Sequence, residues 1–118
     1  MGVKELLHWQ WSGYPRYHRS RANLLIHIVV VPLFLVGNVG LVVALVQRSL
    51  LLAVVSVVAM VVSAALQGRG HRLEQTPPEP FTGAANAVSR IFLEQRVTFP
   101  RFVMSGGWHR ALRQHTLP

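Results

Sequence analysis

Residues 24–66 read LLIHIVVVPLFLVGNVGLVVALV, then QRS, then LLLAVVSVVAMVVSAAL, and this stretch decides the fold. A hydrocarbon layer about 30 Å thick is crossed by roughly 20 apolar residues in a helix. The first run, 24–46, has that length and carries only His27 and Asn38 as strongly polar groups. The second, 50–66, lies at the short end of the spanning range and has no charge. Only Gln47-Arg48-Ser49 separates the two. The remainder of the chain is too polar and too short to wrap both helices as the core of a soluble bundle. The reading is therefore an all-α membrane protein, a transmembrane helical hairpin with flanking interfacial or amphipathic helices. It forms one domain over residues 1–118, with cytoplasmic or interfacial segments at 1–23 and 67–118.

The first run begins late, is too long for a signal-peptide core and has no small-residue cleavage site, so it reads as a retained anchor. The formal net charge is +8, with a pI near 11.8. Lys4, Arg16, Arg19 and Arg21 precede the hairpin, seven arginines follow it, and its loop holds Arg48 alone. Counting Lys and Arg next to the spans places both termini in the cytoplasm and the loop outside. The membrane would be the inner membrane of a bacterium or the endoplasmic reticulum of a eukaryote. Arginines that hug membrane boundaries are explained by anionic headgroups, so the bilayer rather than nucleic acid is the expected partner. The chain has no cysteine, which excludes disulfides, thiolate zinc, iron–sulfur clusters and cysteine nucleophiles. Any metal must be held by imidazole and carboxylate.

Trp9, Trp11 and Tyr14 mark residues 1–14 as an interfacial segment. Pro15 and Asn23 are both candidate helix starts. Pro32 suggests a kink, and Gly37 with Gly40 a close-packed face. Ser56 and Ser63 can bond back to their own backbone. Gln67-Gly68-Arg69-Gly70 reads as an exit from the membrane, followed by a short helical stretch from His71 to Gln75 that Thr76-Pro77-Pro78 stops. Residues 84–97 form an amphipathic pattern, with Asn86, Arg90 and Glu94 on the polar face. Gly106-Gly107-Trp108 reads as a turn and an interfacial aromatic.

His27 stands one turn inside the first run, and an ionisable group there is a functional candidate because burying it unpaired is costly. Asn23, at i−4, is placed to orient its ring. His71 and Glu74, spaced i, i+3, share a face if the stretch is helical, a spacing used for metal ligation in bundles. The hairpin brings this pair to the depth of His27. His18 lies nine residues before His27, out of phase on a straight helix, so it joins only if the chain bends between them. His8, His109 and His115 sit among arginines and read as solvated. Two or three imidazoles with one carboxylate suit non-haem Fe(II), and zinc accepts the same donors.

Tyr17-His18, Asn23, Ile26-His27 and Pro32 form one block, and Gln67, Gly70-His71 and Glu74 with a nearby proline pair form a second. Over roughly residues 14–100 these blocks resemble the Mpo1-like (DUF962) family, whose founder is a 2-hydroxy fatty acid dioxygenase. The resemblance implies Fe(II)-dependent, oxygen-consuming removal of one carbon from a 2-hydroxy fatty acid, as in fatty acid α-oxidation. It carries the catalytic metal ligands onto His18, His27, His71 and Glu74. Where the family has Pro-Ala, this chain has Pro77-Pro78 with Glu79 beside it, so Glu79 is an alternative acid. Asn23, Arg69 and Arg72 are the candidates for substrate binding, the two arginines by pairing with a carboxylate or, equally, with lipid phosphate. Self-association would help so small a hairpin to enclose a site. The rival expectation is a non-catalytic membrane protein that stabilises a larger complex, with its histidines serving helix packing and no metal bound.

Overall fold

In the computed structural model, which describes residues 2–114, the chain is predominantly helical and has no strand among the described residues. The described residues form six α-helices, α1 (Val3–Tyr17), α2 (Arg21–Gln47), α3 (Leu50–His71), α4 (Ala84–Leu93), α5 (Phe99–Met104) and α6 (Gly107–Arg113). A π-helical turn, Glu94–Thr98, joins α4 to α5.

The two apolar runs become α2 and α3, packed along their length as a hairpin. Small residues set the contact. A methyl group added at Gly37 would meet Met60 Cγ at 2.7 Å and the Ser56 carbonyl at 3.0 Å, and one at Gly40 would meet Ser56 Oγ. Only glycine lets the backbones approach this closely. Ser63 does not bond back to its own helix: its hydroxyl donates across the hairpin to the Val30 carbonyl. The turn is closed by Arg48 in the left-handed region at φ 55°, and Ser49 caps α3 by accepting from the Leu52 amide. The outward faces are Val and Leu, with Val36 68%, Leu45 69% and Leu50 80% exposed. Both helices are long and apolar enough to cross a membrane.

Helix boundaries depart from the sequence reading at three places, each with a local cause. Pro15 lies in the last turn of α1 rather than at a helix start. Ser20, not Asn23, caps α2, its hydroxyl accepting from the Asn23 amide at 3.3 Å. Most consequentially, α3 runs through Gln67-Gly68-Arg69-Gly70 and ends at His71, and residues 72–76 are turns. The helix therefore stops before Glu74, and His71 and Glu74 do not share a helical face.

The elements outside the hairpin gather at its open end. Tyr14 of α1, Leu24 and Val31 of α2, and Phe99 and Phe102 of α5 form a buried cluster, with Trp11 and Trp108 against it. Buried polar bonds fix the register. Trp108 Nε1 donates to the Leu24 carbonyl at 2.9 Å, Thr98 Oγ1 donates to Gln10 Oε1 at 2.8 Å, and Gln10 Nε2 donates to the Arg90 carbonyl at 2.9 Å. Gln67 and Gln95 exchange amide bonds of 2.9 and 2.7 Å, tying α3 to the π turn. Residues 76–83 cross this end as a strap, held where Arg90 donates to the Glu79 and Pro80 carbonyls and lies over the Phe81 and Trp9 rings.

Candidate metal centre

His18 follows directly on α1, and the chain then turns sharply through Arg19 and Ser20 into α2. That turn is the bend that His18 requires: it folds His18 back beside His27, on the second turn of α2. His71 arrives from the last residue of α3. The chain brings Gly70 so close to Asn23 that an added methyl group would overlap Asn23 Oδ1, so glycine at position 70 is a requirement of this approach.

The three imidazoles stand nearly perpendicular to one another around a common point. Ring centroids are 5.1 Å apart for His18 and His27, 5.0 Å for His18 and His71 and 4.9 Å for His27 and His71, with interplanar angles of 88°, 79° and 84°. His18 Nδ1 lies 2.9 Å from the Tyr14 carbonyl and His27 Nδ1 lies 3.0 Å from the Asn23 carbonyl. A carbonyl only accepts, so in each neutral ring the proton sits on Nδ1 and the lone pair on Nε2. This is how ligating histidines are oriented elsewhere, with the second nitrogen anchored on a backbone carbonyl. His18 Nε2, His27 Nε2 and His71 Nδ1 are buried and have no hydrogen-bond partner. Each buried unsatisfied group costs about 1–3 kcal/mol. A shared cation would relieve all three together.

The fourth donor is Glu94, from the start of the π turn. One ligand atom from each of His18, His27, His71 and Glu94 lies within 4.8 Å of the others, a group that can hold a metal ion. Glu94 Oε1 is 3.9 Å from His27 Nε2, too far for a hydrogen bond. Donors about 2.1 Å from one ion are reached from this spacing by small side-chain shifts. Burial pushes the Glu94 carboxyl up to about 7, against the opposing pull of Arg90. Burial also pushes the His18 imidazole well below its usual value, helped by His27 and His71, which keeps its lone pair free at neutral pH. Burial, with Glu94 nearby, raises the Tyr14 phenol, so it stays a neutral donor.

Glu74 stands elsewhere. Its carboxylate accepts from the Arg19 amide at 2.8 Å, the Ser20 amide at 3.1 and 3.0 Å and Asn23 Nδ2 at 2.7 Å. It is an anionic clasp on the N-terminus of α2, where the helix dipole favours negative charge, and its lone pairs are already engaged. Asn23 is correspondingly committed to Glu74 and to His27 through its carbonyl. Glu79 is exposed and holds Arg90 through its backbone. His8 and His109 are exposed on the surface, and His115 lies outside the described residues.

A cavity of about 660 Å³ opens beside the cluster. His18, His71 and Glu94 line it on one side, with Trp9, Phe34, Ala64, Phe81 and Ile91 supplying apolar wall. Arg72 borders it and has no ion-pair partner among the described residues, whereas Arg69 is exposed and does not line it. The cavity thus combines a basic rim, an apolar wall and the donor cluster.

Compared with known proteins, the chain matches no protein-family model, no curated protein and no solved structure.

Proposed function

We propose that this protein is a membrane-bound, Fe(II)-dependent dioxygenase that shortens 2-hydroxy fatty acids by one carbon. The observation that carries the reading is the meeting of three buried, unpartnered imidazole nitrogens and one carboxylate beside a cavity with an apolar wall and a free arginine. Histidines serving only packing would bond both ring nitrogens or expose one. A donor set of imidazole and carboxylate without thiolate fits non-haem iron, which when bound would supply Lewis acidity and the one-electron chemistry that dioxygen needs.

The chain's own residues account for the rest. His18 and His27 present lone pairs fixed by their second-nitrogen anchors, His71 presents Nδ1 from the end of α3, and Glu94 adds the negative charge. Arg72 pairs with the substrate carboxylate, and the apolar wall takes the first part of the alkyl chain. The Val and Leu faces of α2 and α3 anchor the protein in the bilayer, where such substrates reside, and the arginine balance sets both termini in the cytoplasm. The overall change balances with dioxygen as sole oxidant: R–CH(OH)–COOH and O₂ become R–COOH, CO₂ and water. The C1–C2 bond breaks, and dioxygen accepts four electrons.

The test is protein purified anaerobically in mild detergent, assayed for iron and for O₂ uptake with 2-hydroxyhexadecanoate. The reading requires about one iron per chain, absent from His71→Ala, and a fatty acid product one carbon shorter. Well-folded protein that binds no Fe(II) on reconstitution would eliminate it and leave the histidines as structure.

A further inference from the structure

Tyr14 lies one helical turn before His18, and its packing explains only part of it. The ring stacks flat on the His18 imidazole, centroids 3.8 Å apart at 12°, and meets Phe102 edge-on at 4.9 Å. The residue is 3% exposed, and its hydroxyl has no hydrogen-bond partner. A phenylalanine would fill the same space without leaving a polar group stranded, and buried tyrosine hydroxyls ordinarily find a partner. The hydroxyl is therefore unexplained by the folded chain alone. Tyr14 also lines the cavity that His18, His71, Glu94 and Arg72 border.

We propose that the Tyr14 hydroxyl donates a hydrogen bond to an oxygen of the acid bound in this cavity, fixing its carboxylate or 2-hydroxyl against the metal cluster. The identity of that acid rests on the function proposed above. Arg72 attracts the carboxylate by charge from the flexible end of a long side chain. Tyr14 is held rigidly by the stacked imidazole and by helix α1, so it supplies direction. A rigid donor placed next to the ligands selects a chelating pose over a carboxylate bound in any orientation. It also distinguishes a hydroxy acid, which offers two oxygens, from a plain fatty acid.

The experiment compares wild-type protein with Tyr14→Phe, both loaded with Co(II), in detergent. Bound Co(II) is measured by metal analysis, and 2-hydroxyhexadecanoate is titrated against the visible cobalt bands. The expected result is equal Co(II) content with Kd for the hydroxy acid raised about tenfold in the variant, the scale of one hydrogen bond to a charged ligand. An unchanged Kd at full Co(II) loading overturns the assignment while leaving the proposed function standing. Loss of Co(II) in Tyr14→Phe also overturns it, because the hydroxyl would then be serving the fold. Wild-type protein that holds Co(II) without any response to the hydroxy acid removes the proposed substrate, and this role with it.

Discussion

Two glutamates divide two tasks that a sequence pattern would assign to one. Glu74 follows His71 at i+3 and looks like its ligating partner, yet its oxygens are occupied by the Arg19 and Ser20 amides and Asn23. Glu94 carries no spacing relation to any histidine. The one local hint is an acid placed directly after the apolar Ile91-Phe92-Leu93, but no helical period announces that a π turn follows. The glutamates separate experimentally. Glu74→Gln should lower stability by about 2 kcal/mol, the scale of losing charge-assisted bonds, while the protein still binds metal in a thermal-shift titration. Glu94→Gln should leave the melting temperature of the metal-free protein nearly unchanged and weaken metal binding at least tenfold. The pH dependence follows from the same carboxyl. With its pKa at about 7, Glu94 holds a proton below that value, and a metal must displace it. Between pH 7 and 6 the wild-type affinity should fall by an extra factor of about five relative to Glu94→Gln, measured with Co(II). Equal pH slopes in the two proteins would contradict ligation by Glu94.

At the scale of elements, the hairpin was legible because both runs are long, uncharged and joined by three residues. Its open end was less so. The length of α3 depended on whether two glycines would end it, and they do not: Gly70 is retained for its close approach to Asn23, and Gln67 is pinned by Gln95. The bend at His18 to Ser20 was visible only as a geometric necessity. Gly70→Ala tests the approach. The added methyl group overlaps Asn23 Oδ1, so overpacking should cost about 1–3 kcal/mol, and metal affinity should fall because His71 moves with the helix end. The Gln67–Gln95 pair tests the tether to the π turn. Gln67→Leu or Gln95→Leu alone strands the other amide and should cost about 1–3 kcal/mol. The double variant should cost clearly less than the sum, as read from denaturant midpoints in detergent.

For the whole molecule, the fully apolar outward faces of α2 and α3 contrast with an open end where nearly all the buried polar bonds are made. That asymmetry is what the sequence composition carried: outward-facing Val and Leu in the middle, arginines at both margins. Membrane residence and orientation can be tested directly because the chain contains no cysteine. Single cysteines introduced at Gly2 and at Ser105 should react with an impermeant maleimide only in inside-out vesicles. One introduced at Ser49 should react only in right-side-out vesicles. Labelling of all three from the same side would contradict the hairpin topology.

The four candidate donors come from the α1–α2 turn, α2, α3 and the π turn, so the centre spans residues 18 to 94 in sequence. During synthesis, both long apolar helices are translated before Glu94, which follows the last residue of α3, His71, in the π turn. A chain translated only as far as α3 therefore carries three of the four candidate donors and lacks the single carboxylate among them. Completion of the donor set waits on the last donor-bearing element to be made, so the order of synthesis keeps the acid away from the three imidazoles until the hairpin helices exist.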